Sequence, residues 1–231
     1  MKKKVVVLTG AGISAESGIK TFRDADGLWE GHDVMEVASP QGFTNNPELV
    51  LDFYNQRRRQ LSTVSPNSAH DALFTLEDLF DVTIITQNVD DLHERAGSSQ
   101  VHHIHGELLK VRCTQDENLI LNWENDLVIG DLSEKGYQLR PHIVWFGEQV
   151  PLLEKAITIT SKADILIIIG TSMQVYPAAG LIHEVNANTP IYFIDPKPSV
   201  GQNDFKNIKI IADSATNGVP NLVTSLLDIK A

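Results

Sequence analysis

The chain has little of several features that would assign it to a particular class of protein. It contains one cysteine, Cys113, among 231 residues, so no disulfide can form within it and a four-cysteine metal site is excluded. Its 19 Lys and Arg residues are outnumbered by 30 Asp and Glu residues, and this formal net charge of −11 argues against a general affinity for nucleic-acid phosphates. The longest aliphatic run, residues 165–169, is far shorter than the ~20 apolar residues of a membrane-spanning helix.

The composition that remains is that of a globular domain. Hydrophobic residues make up 42% of the chain, which excludes intrinsic disorder, and 231 residues suit one large α/β domain or a domain with a small insert. The apolar run after the N-terminal lysines covers only residues 5–8, which is too short for the core of a signal peptide. We therefore expect a cytoplasmic protein with no membrane and no nucleic-acid partner.

Four short β-branched runs, each followed by polar or glycine residues, indicate buried strands. They cover residues 5–8, 82–85, 165–169 and 191–194. Such runs, separated by amphipathic segments, are typical of the α/β class, in which helices cover both faces of a parallel sheet. Ligands bind these sheets outside the carboxyl ends of the strands, so the residues that follow the runs predict the position of the site.

Two stretches interrupt this alternation and predict a smaller lobe. We expect residues 28–69 to be mainly helical, with one helix beginning at Pro47. Residues 108–140 are polar and mixed, with turns marked by glycines. The expected organisation is a single domain, 1–231. Its sheet-containing part covers about 1–27, 70–107 and 141–231, and the two inserts form the lobe.

A glycine-rich loop follows the first predicted strand. Residues 10–15 match G-x-G-x-x-A, in which the glycines let backbone amides approach a pyrophosphate, although a plain tight turn is a fair competing interpretation. An ordinary dehydrogenase would continue to a second strand ending in a ribose-binding acid about 20 residues later. Residues 21–29 have no strand pattern, so hydride transfer is disfavoured, and Phe22 and Arg23 are candidates to cover a bound cofactor.

The glycine loop is the first of several motifs that follow one another along the chain. They occupy residues 10–23, 27–29, 86–97, 105–107, 141–147, 170–172 and 175–178. In this order they resemble the motifs of the sirtuins, NAD-consuming protein deacylases with a Rossmann-like fold. The resemblance implies NAD as a consumed co-substrate and acylated-lysine proteins or peptides as substrates. The acyl oxygen would attack C1′ of the nicotinamide ribose and expel nicotinamide, and a general base would then activate a ribose hydroxyl, giving O-acyl-ADP-ribose and free lysine.

The same resemblance implies which residues bind NAD. They are Gly10, Ala11, Gly12, Ile13, Ser14, Ala15, Phe22, Arg23, Trp29, Gln87, Asn88, Asp90, Gly170, Thr171, Ser172, Asp195 and Ala215. Asn88 and Asp90 would line the nicotinamide pocket, although the residues alone favour a turn that caps the next helix. Asp195 stands where the family usually has Asn, and its carboxylate can still accept from ribose hydroxyls.

Three neighbouring histidines, His102, His103 and His105, invite a metal interpretation. No thiolate or carboxylate stands at a recognised metal-ligand spacing. The spacing of the three histidines also does not indicate which of them is a catalytic base. The resemblance does, because His105 matches the general base of the family, with Asn88 as the second catalytic residue. An imidazole titrates near neutral pH and can accept the proton of a ribose hydroxyl. His102 and His103 are left as structural or surface residues.

Tyr54 and Arg57 stand at i and i+3 on the predicted insert helix, hence on one face. A phenol and a guanidinium together suit a carboxylate, although spacing alone favours a solvated basic face because Arg58 and Arg59 follow. The pair matches the one that marks the sirtuin branch acting on succinyl- and malonyl-lysine, and Ala15 matches a position lining that acyl pocket. We expect acidic acyl groups to be favoured, with acetyl-lysine a weaker substrate.

Val144, Trp145, Phe146 and Gly147 resemble the family segment that pairs with the substrate backbone as an added strand. The alternative is an ordinary core strand. We expect Trp145 and Phe146 to contribute both to the core and to the wall of the substrate tunnel.

Most sirtuins hold a structural zinc ion through two CxxC pairs in the small lobe, and this chain departs from that pattern. Cys113 occupies the first position, Asp116 stands where its partner would be, and residues 114–140 contain no further cysteine and no histidine. We therefore expect no metal and a lobe held by packing. The candidates for that packing are Leu119, Ile120, Leu121, Trp123, Leu127, Val128 and Ile129.

Two other functions could use the same motifs. ADP-ribosyl transfer needs the same activated ribose with a different nucleophile, and a non-catalytic module would bind NAD or ADP-ribose without turnover. The presence of His105 and Asn88 argues against the non-catalytic module.

Overall fold

A computed structural model describes residues 2–20, 28–29 and 31–228. Its strands are β1 Lys4–Thr9, β2 Leu28–Trp29, β3 His32–Asp33, β4 Asp81–Thr86, β5 Val101–His103, β6 Gly106–Cys113, β7 Ile120–Asn122, β8 Leu139–Ile143, β9 Ile165–Ile169, β10 Ile191–Ile194 and β11 Ile208–Ile211. Its α-helices are α1 Val34–Val37, α2 Pro40–Asn45, α3 Pro47–Leu61, α4 Ser68–Leu76, α5 Leu92–Arg95, α6 Leu153–Thr160 and α7 Ala215–Asp228. Three 3-10 turns cover Ala11–Ile13, Ala15–Ser17 and Ala178–His183.

Six strands form one parallel sheet in the order β11-β10-β9-β1-β4-β5. The four predicted strands are confirmed as β1, β4, β9 and β10, whereas β5 and β11 were not predicted. Both of these lie at the edges of the sheet, where strands are shorter and less apolar. The carboxyl ends of β1, β4, β9 and β10 lie side by side, so the polar residues after each strand meet at one edge.

Both faces of this sheet are buried, and the alternation of side chains along β1 explains how. Val5 and Val7 pack on one face with residues of α4 and α7. Val6 and Leu8 pack on the other face with residues of α6 and of the turn Ala178–His183. Each fully buried aliphatic side chain of this kind contributes about 1.5–3 kcal/mol. The predicted α/β class, with helices on both faces, is confirmed.

The first insert carries helices α1, α2 and α3. Helix α3 begins at Pro47, as predicted, since proline suits the first turn of a helix and Asn46 caps it by accepting a hydrogen bond from the Leu49 amide at 3.1 Å. Seven residues of α3 are buried: Val50, Leu51, Phe53, Tyr54, Asn55, Arg58 and Leu61. Within the described residues, none of the helices combines the length and apolar character that a membrane crossing requires.

The second insert contains a small antiparallel sheet, β7-β6-β8, that was not predicted. Its core consists of Leu51 from α3 together with Val111, Cys113, Leu127 and Leu139. The expected packing residues need correction, because four of them are exposed. The exposed fractions are 42% for Ile120, 39% for Leu121, 53% for Val128 and 50% for Ile129. Strand β7 pairs only with β6 at the sheet edge, so little of the chain covers its side chains.

Candidate active site

The glycine loop at the end of β1 lies directly against the loop that follows β9. The Gly12 amide donates to the Gly170 carbonyl at 2.8 Å. A Cβ added to Gly12 would stand 2.5 Å from the Gly170 Cα, and Gly170 itself has a φ of +60°. Contact between two backbones therefore accounts for the glycines at both positions. The loop continues into two 3-10 turns, and not into an α-helix.

The remaining residues of the glycine loop differ in what they can offer a ligand. Ala11 and Ala15 are half-buried, whereas the Ile13 side chain is fully buried in the core beneath the sheet. Ile13 can therefore present only backbone to a ligand. Trp29 is half-buried and packs edge-on against Phe53, with ring centroids 4.9 Å apart. Phe22 and Arg23, predicted to cover the cofactor, lie outside the described residues.

Asn88, Asp90 and Ser14 form a buried hydrogen-bonded group between the ends of β1 and β4. The Asn88 side-chain amide donates to Ser14 Oγ at 3.1 Å, and Ser14 Oγ donates to Asp90 Oδ2 at 3.0 Å. Burial raises the pKa of the Asp90 carboxyl. Asp90 Oδ1 also accepts from the Leu92 amide at 3.2 Å, so the turn-capping interpretation describes part of its role. The structure thus brings together the two residues predicted for the nicotinamide pocket.

Two threonines support Asn88 from below, and neither was predicted from the sequence. The Asn88 backbone N–H donates to Thr86 Oγ1 at 3.0 Å, and Thr9 Oγ1 donates to the same oxygen at 2.8 Å. His93 Nε2 lies 3.1 Å from Thr9 Oγ1. All of these side chains are buried. A threonine two residues before Asn88 is the pattern of a local side-chain turn, which was the one signal available in the sequence.

The other predicted NAD residues lie along the same edge of the sheet. Gln87 Nε2 donates to Thr171 Oγ1 at 3.1 Å, which ties the loop after β4 to the loop after β9. Ser172 is half-buried beside Thr171. Asp195 follows β10, is buried, and accepts from the Lys197 amide at 2.8 Å. Ala215 is the buried first residue of α7.

His105 is half-buried between β5 and β6, and its hydrogen bond defines its tautomer. Nδ1 lies 3.2 Å from the Gln87 carbonyl oxygen, which can only accept, so Nδ1 carries the proton. Burial lowers the pKa of His105, and the bond to Gln87 offsets part of that effect. The imidazole is therefore neutral at neutral pH, and its Nε2 lone pair is available to take a proton.

His103 has a different environment. Its Nδ1 lies 2.9 Å from the Asn88 carbonyl oxygen and its Nε2 lies 2.7 Å from Glu94 Oε1. Both partners are acceptors. Burial opposes the charged form, but the hydrogen bond and the charge of Glu94 outweigh it and raise the pKa of His103. His102 is half-buried, and burial lowers its pKa. Of the three histidines, only His105 combines a neutral ring with a position beside Gln87.

Tyr54 and Arg57 both lie on α3, one turn apart. Tyr54 is fully buried, and its oxygen accepts a hydrogen bond from Trp145 Nε1 at 2.9 Å. Arg57 is half-buried, with its guanidinium carbon 3.6 Å from the Phe53 ring centroid and Nη1 donating to the Phe53 carbonyl at 2.6 Å. Burial raises the pKa of Tyr54, and the hydrogen bond from Trp145, followed by the charges of Arg140 and Arg57, offsets part of that effect. The two residues therefore share one turn of α3, and Tyr54 remains a phenol.

The segment predicted to pair with a peptide substrate follows β8 and is not itself part of a strand. The Val144 amide donates to the His105 carbonyl at 2.9 Å, and the Phe146 amide donates to the Ala38 carbonyl at 2.9 Å. Trp145 is buried, Phe146 is exposed, and Gly147 has a φ of +89°. The segment therefore joins His105 to the first insert, and peptide pairing at this position stays a prediction.

A buried ion-pair group lies beside this segment and was not predicted either. Glu148 accepts from Arg140 Nη1 at 2.6 Å and from Arg112 Nη2 at 2.9 Å. Glu148 Oε2 also accepts from the Trp145 amide at 2.8 Å. The Arg140 guanidinium carbon lies 3.3 Å from the Trp145 ring centroid. Arg112 is 36 residues from Glu148 in the sequence, so no local pattern indicated the group.

Where most sirtuins hold zinc and we expect no metal, Cys113 is buried and takes part in hydrogen bonds. Its Sγ donates to Ser133 Oγ at 3.4 Å and accepts from the Gln115 amide at 3.4 Å. Asp116 pairs with Lys135 at 2.6 Å. In the part of the chain that the structure describes, no group of three or more His, Cys, Asp or Glu side chains is arranged to hold a metal ion.

Comparison with known proteins identifies relatives over the full length of the chain. A model of the Sir2 family matches residues 10–177. The NAD-dependent protein deacylase of Helicobacter pylori (strain ATCC 700392 / 26695) is 60% identical over 229 residues, covering 99% of this chain and 100% of that protein.

Solved structures lead to the same family. A mutant Sir2 homologue in complex with ADP-ribose has a TM-score of 0.90 at 40% identity, covering 99% of this chain and 94% of that one. A Sir2 homologue in complex with NAD has a TM-score of 0.88 at 39% identity, covering 100% of this chain and 91% of that one. The chain therefore has the same Rossmann-like fold as these homologues. It belongs to the Sir2 family.

Proposed function

We propose that the chain is an NAD-dependent protein-lysine deacylase that removes succinyl and malonyl groups and, more weakly, acetyl groups. The general activity follows from similarity along the whole chain to a relative named NAD-dependent protein deacylase. Acylated-lysine proteins or peptides are then the substrates. The acyl preference is a finer proposal and depends on Tyr54 and Arg57.

The residues at the sheet edge suit NAD. Backbone and hydroxyl groups after β1 and β9 suit phosphate and ribose, and the Asn88 amide with the Asp90 carboxyl suits a carboxamide. A bound NAD supplies a ribose carbon, C1′, from which nicotinamide departs. Ser14 holds the side chain of Asn88 and Thr86 holds its backbone N–H. Together these bonds fix the direction in which the Asn88 side chain can bond a ligand.

One observation supports the catalytic role of His105 more than any other. Its Nδ1 proton is directed to the Gln87 carbonyl, so Nε2 is the atom that can accept a proton. Burial keeps the ring neutral, as a general base requires. His103 does not meet this condition, because both of its nitrogens face acceptors. We assign the general-base role to His105 and a nicotinamide-pocket role to Asn88.

The acyl preference is supported by the chemistry of α3. A buried phenol that stays protonated and a half-buried guanidinium offer donors and a positive charge to a terminal carboxylate. An acetyl group cannot use either. Ala15 is small and half-buried at the sheet edge, which suits a longer acyl chain better than a large side chain would.

The proposal includes three further points. Residues 28–69 and 108–140 form a small lobe, supported by the positions of α1–α3 and of most of the small sheet. That lobe needs no zinc, supported by the hydrogen bonds of Cys113 with Ser133 and Gln115. The enzyme is cytoplasmic and has no nucleic-acid partner, supported by its single cysteine and its net charge of −11.

The test incubates succinyl-, malonyl-, butyryl- and acetyl-lysine peptides with NAD and follows peptide mass and nicotinamide together. We expect matched amounts of free lysine and nicotinamide, with succinyl and malonyl peptides turned over fastest. His105→Ala should lower turnover about 10²–10⁴-fold, the range for loss of a general base. The Tyr54→Phe/Arg57→Met double variant should lose desuccinylation far more than deacetylation.

Several outcomes would contradict the proposal. Nicotinamide release with ADP-ribose attached to the peptide would identify an ADP-ribosyltransferase. NAD binding without nicotinamide release on any peptide would identify a non-catalytic module. Equal losses of desuccinylation and deacetylation in the double variant would refute the acyl assignment while leaving the deacylase activity intact. Arg59→Met, on the exposed side of α3, is the matched control and should leave the acyl preference unchanged.

A further inference from the structure

The hydrogen bond between Trp145 and Tyr54 determines how the Tyr54 hydroxyl can be used. Trp145 Nε1 donates to the phenol oxygen at 2.9 Å, and both side chains are buried. An indole N–H is a donor only, so it cannot accept the phenol proton. Among the described residues, Trp145 is the sole hydrogen-bond partner of the Tyr54 side chain. The proton of the phenol therefore remains available for an acceptor that comes from elsewhere.

Trp145 is itself held firmly in place. The Arg140 guanidinium stacks over its ring, with the guanidinium carbon 3.3 Å from the centroid, and Phe43 packs against it with ring centroids 5.4 Å apart. The Trp145 amide donates to Glu148 Oε2 at 2.8 Å, and Arg140 pairs with the same carboxylate. Since ring and backbone are both fixed, the indole N–H has one direction. It therefore acts on Tyr54 as a pre-oriented donor.

This pair lies next to the proposed catalytic base. Val144, the residue before Trp145, donates its amide to the His105 carbonyl at 2.9 Å. Tyr54, Trp145 and Leu108 belong to one buried cluster, which the half-buried Trp29 and Val89 also contact. The Tyr54 oxygen is therefore held by a residue whose chain neighbour is bonded to the backbone of His105.

We infer that Trp145 is a specificity-determining positioning residue, whose indole N–H orients the Tyr54 hydroxyl to donate to the terminal carboxylate of the acyl group. The inference rests on the proposed preference for acidic acyl groups. It adds that Tyr54 and Arg57 are not sufficient by themselves to give the full preference for acidic acyl groups. Without the indole donor, the phenol oxygen would be buried with an unsatisfied lone pair and the hydroxyl could turn to other directions.

The test uses Trp145→Phe, which keeps an aromatic ring for Arg140 and Phe43 but removes the N–H. The readout is the ratio of kcat/KM for a succinyl-lysine peptide to that for a butyryl-lysine peptide, which has a four-carbon acyl chain without the carboxylate. A ratio of two substrates on one preparation does not depend on the fraction of folded enzyme. We expect the ratio to fall about tenfold, mostly through KM for the succinyl peptide, as for the loss of one oriented hydrogen bond.

A double-variant cycle separates this role from a structural one. In the Tyr54→Phe background the indole has no hydroxyl to orient, so Trp145→Phe should change the ratio less than about twofold. Equal effects of Trp145→Phe with and without Tyr54 would overturn the inference. Trp123→Phe, beside the small sheet, is the matched control and should leave the ratio unchanged.

Failure of the inference can be distinguished from failure of the proposed function. If Tyr54→Phe lowers the ratio and Trp145→Phe does not, the inference is wrong and the acyl preference stands. If the unmodified enzyme does not prefer succinyl over butyryl peptide, the proposed preference is wrong, and the inference with it. If Trp145→Phe does not fold, the indole ¹H–¹⁵N resonances of the unmodified enzyme provide the test of the inference. Saturating succinyl peptide should shift the Trp145 signal more than butyryl peptide does, and equal shifts would refute the inference.

Discussion

The six-stranded parallel sheet and the small three-stranded sheet are stabilised in different ways. The parallel sheet has two buried faces, each covered by its own apolar cluster. The small sheet has a core cluster of five buried residues, and polar interactions connect the rest of it. Asn55 of α3, for example, bonds both the amide and the carbonyl of Leu127, at 2.8 and 2.9 Å.

This difference predicts how each region responds to a single substitution. Burial along a continuous apolar strand is spread over many similar contacts, so the loss of any one is partly absorbed. At the small sheet, a few polar side chains hold segments that are distant in sequence, as when Arg112 of β6 and Arg140 of β8 both pair with Glu148 beyond the sheet. Single substitutions of these residues should therefore have large effects that remain confined to the small sheet and to the adjoining candidate site.

The largest effect is expected from Glu148→Gln. It removes the charge that two buried arginines share, and breaking one side of a buried ion pair typically destabilises a protein by about 3–5 kcal/mol. The measurement is the free energy of unfolding by chemical denaturation. Hydrogen exchange then shows which strands have lost stability. Exchange should increase first in β6 and β8, while β1 and β9 keep their protection. Glu117→Gln, an exposed acid close to the small sheet in sequence, is the control. A change below about 1 kcal/mol, typical of a surface pair, would show that the two regions do not differ in this way.

A smaller effect is expected from Ser133→Ala. Ser133 Oγ accepts from Cys113 Sγ at 3.4 Å and from the Tyr137 amide at 3.3 Å, so the variant should lose about 1–2 kcal/mol of stability. The thermal unfolding temperature of the unmodified enzyme should not respond to a chelator if the proposed metal-free packing around Cys113 is right. Ser225→Ala on the exposed side of α7 is the matched control. Stoichiometric zinc in the purified enzyme, or unfolding caused by the chelator, would refute the metal-free assignment.

The smallest effect is expected at the His103–Glu94 pair, and it should depend on pH. The pKa of His103 is raised in the folded state, so its contribution to stability is fully present below the unfolded value of about 6.5 and is lost as the pH rises through the folded value. The pKa of Glu94 is lowered because its hydrogen bond to His103 outweighs burial, so its contribution is lost as the pH falls through that lowered value. The pair therefore stabilises most in mildly acidic solution.

His103→Gln tests this expectation. The difference in unfolding free energy between the unmodified enzyme and the variant should be under about 1 kcal/mol, because Glu94 is 41% exposed and solvent screens the pair. It should be greatest near pH ~5.5–6 and shrink toward pH ~9, and Glu94→Gln should remove the same dependence. A difference that stays constant from about pH 5 to about pH 9 would show that His103 acts only through packing.

Much of the parallel sheet could be predicted because its signal is local. Four strands were recognised from continuous β-branched runs, and the rule that ligands bind at their carboxyl ends predicted where the candidate site lies. The start of α3 was recognised from Pro47. The small sheet could not be predicted, because its strands are short and their pairing joins residues that no local period connects. The exposure of Ile120 and Val128 shows the same limit, since hydrophobic character alone does not say which side chains a neighbour covers.

The fold class, the family motifs and the edge of the sheet proposed to carry the site could all be inferred from the amino-acid sequence, because each depends on residues that are close together in the chain. The absence of further cysteines likewise excluded a four-cysteine zinc site, whatever the fold. The protonation of the histidines needed the folded structure, in which His105 Nδ1 faces the Gln87 carbonyl whereas both nitrogens of His103 face acceptors. The same is true of the hydrogen bond by which Trp145 holds Tyr54. Protonation and orientation are set by partners as far as 91 residues away in the sequence. The residue type fixes which atoms of a side chain can donate or accept a hydrogen bond. The partners that the fold supplies decide which of those atoms do so.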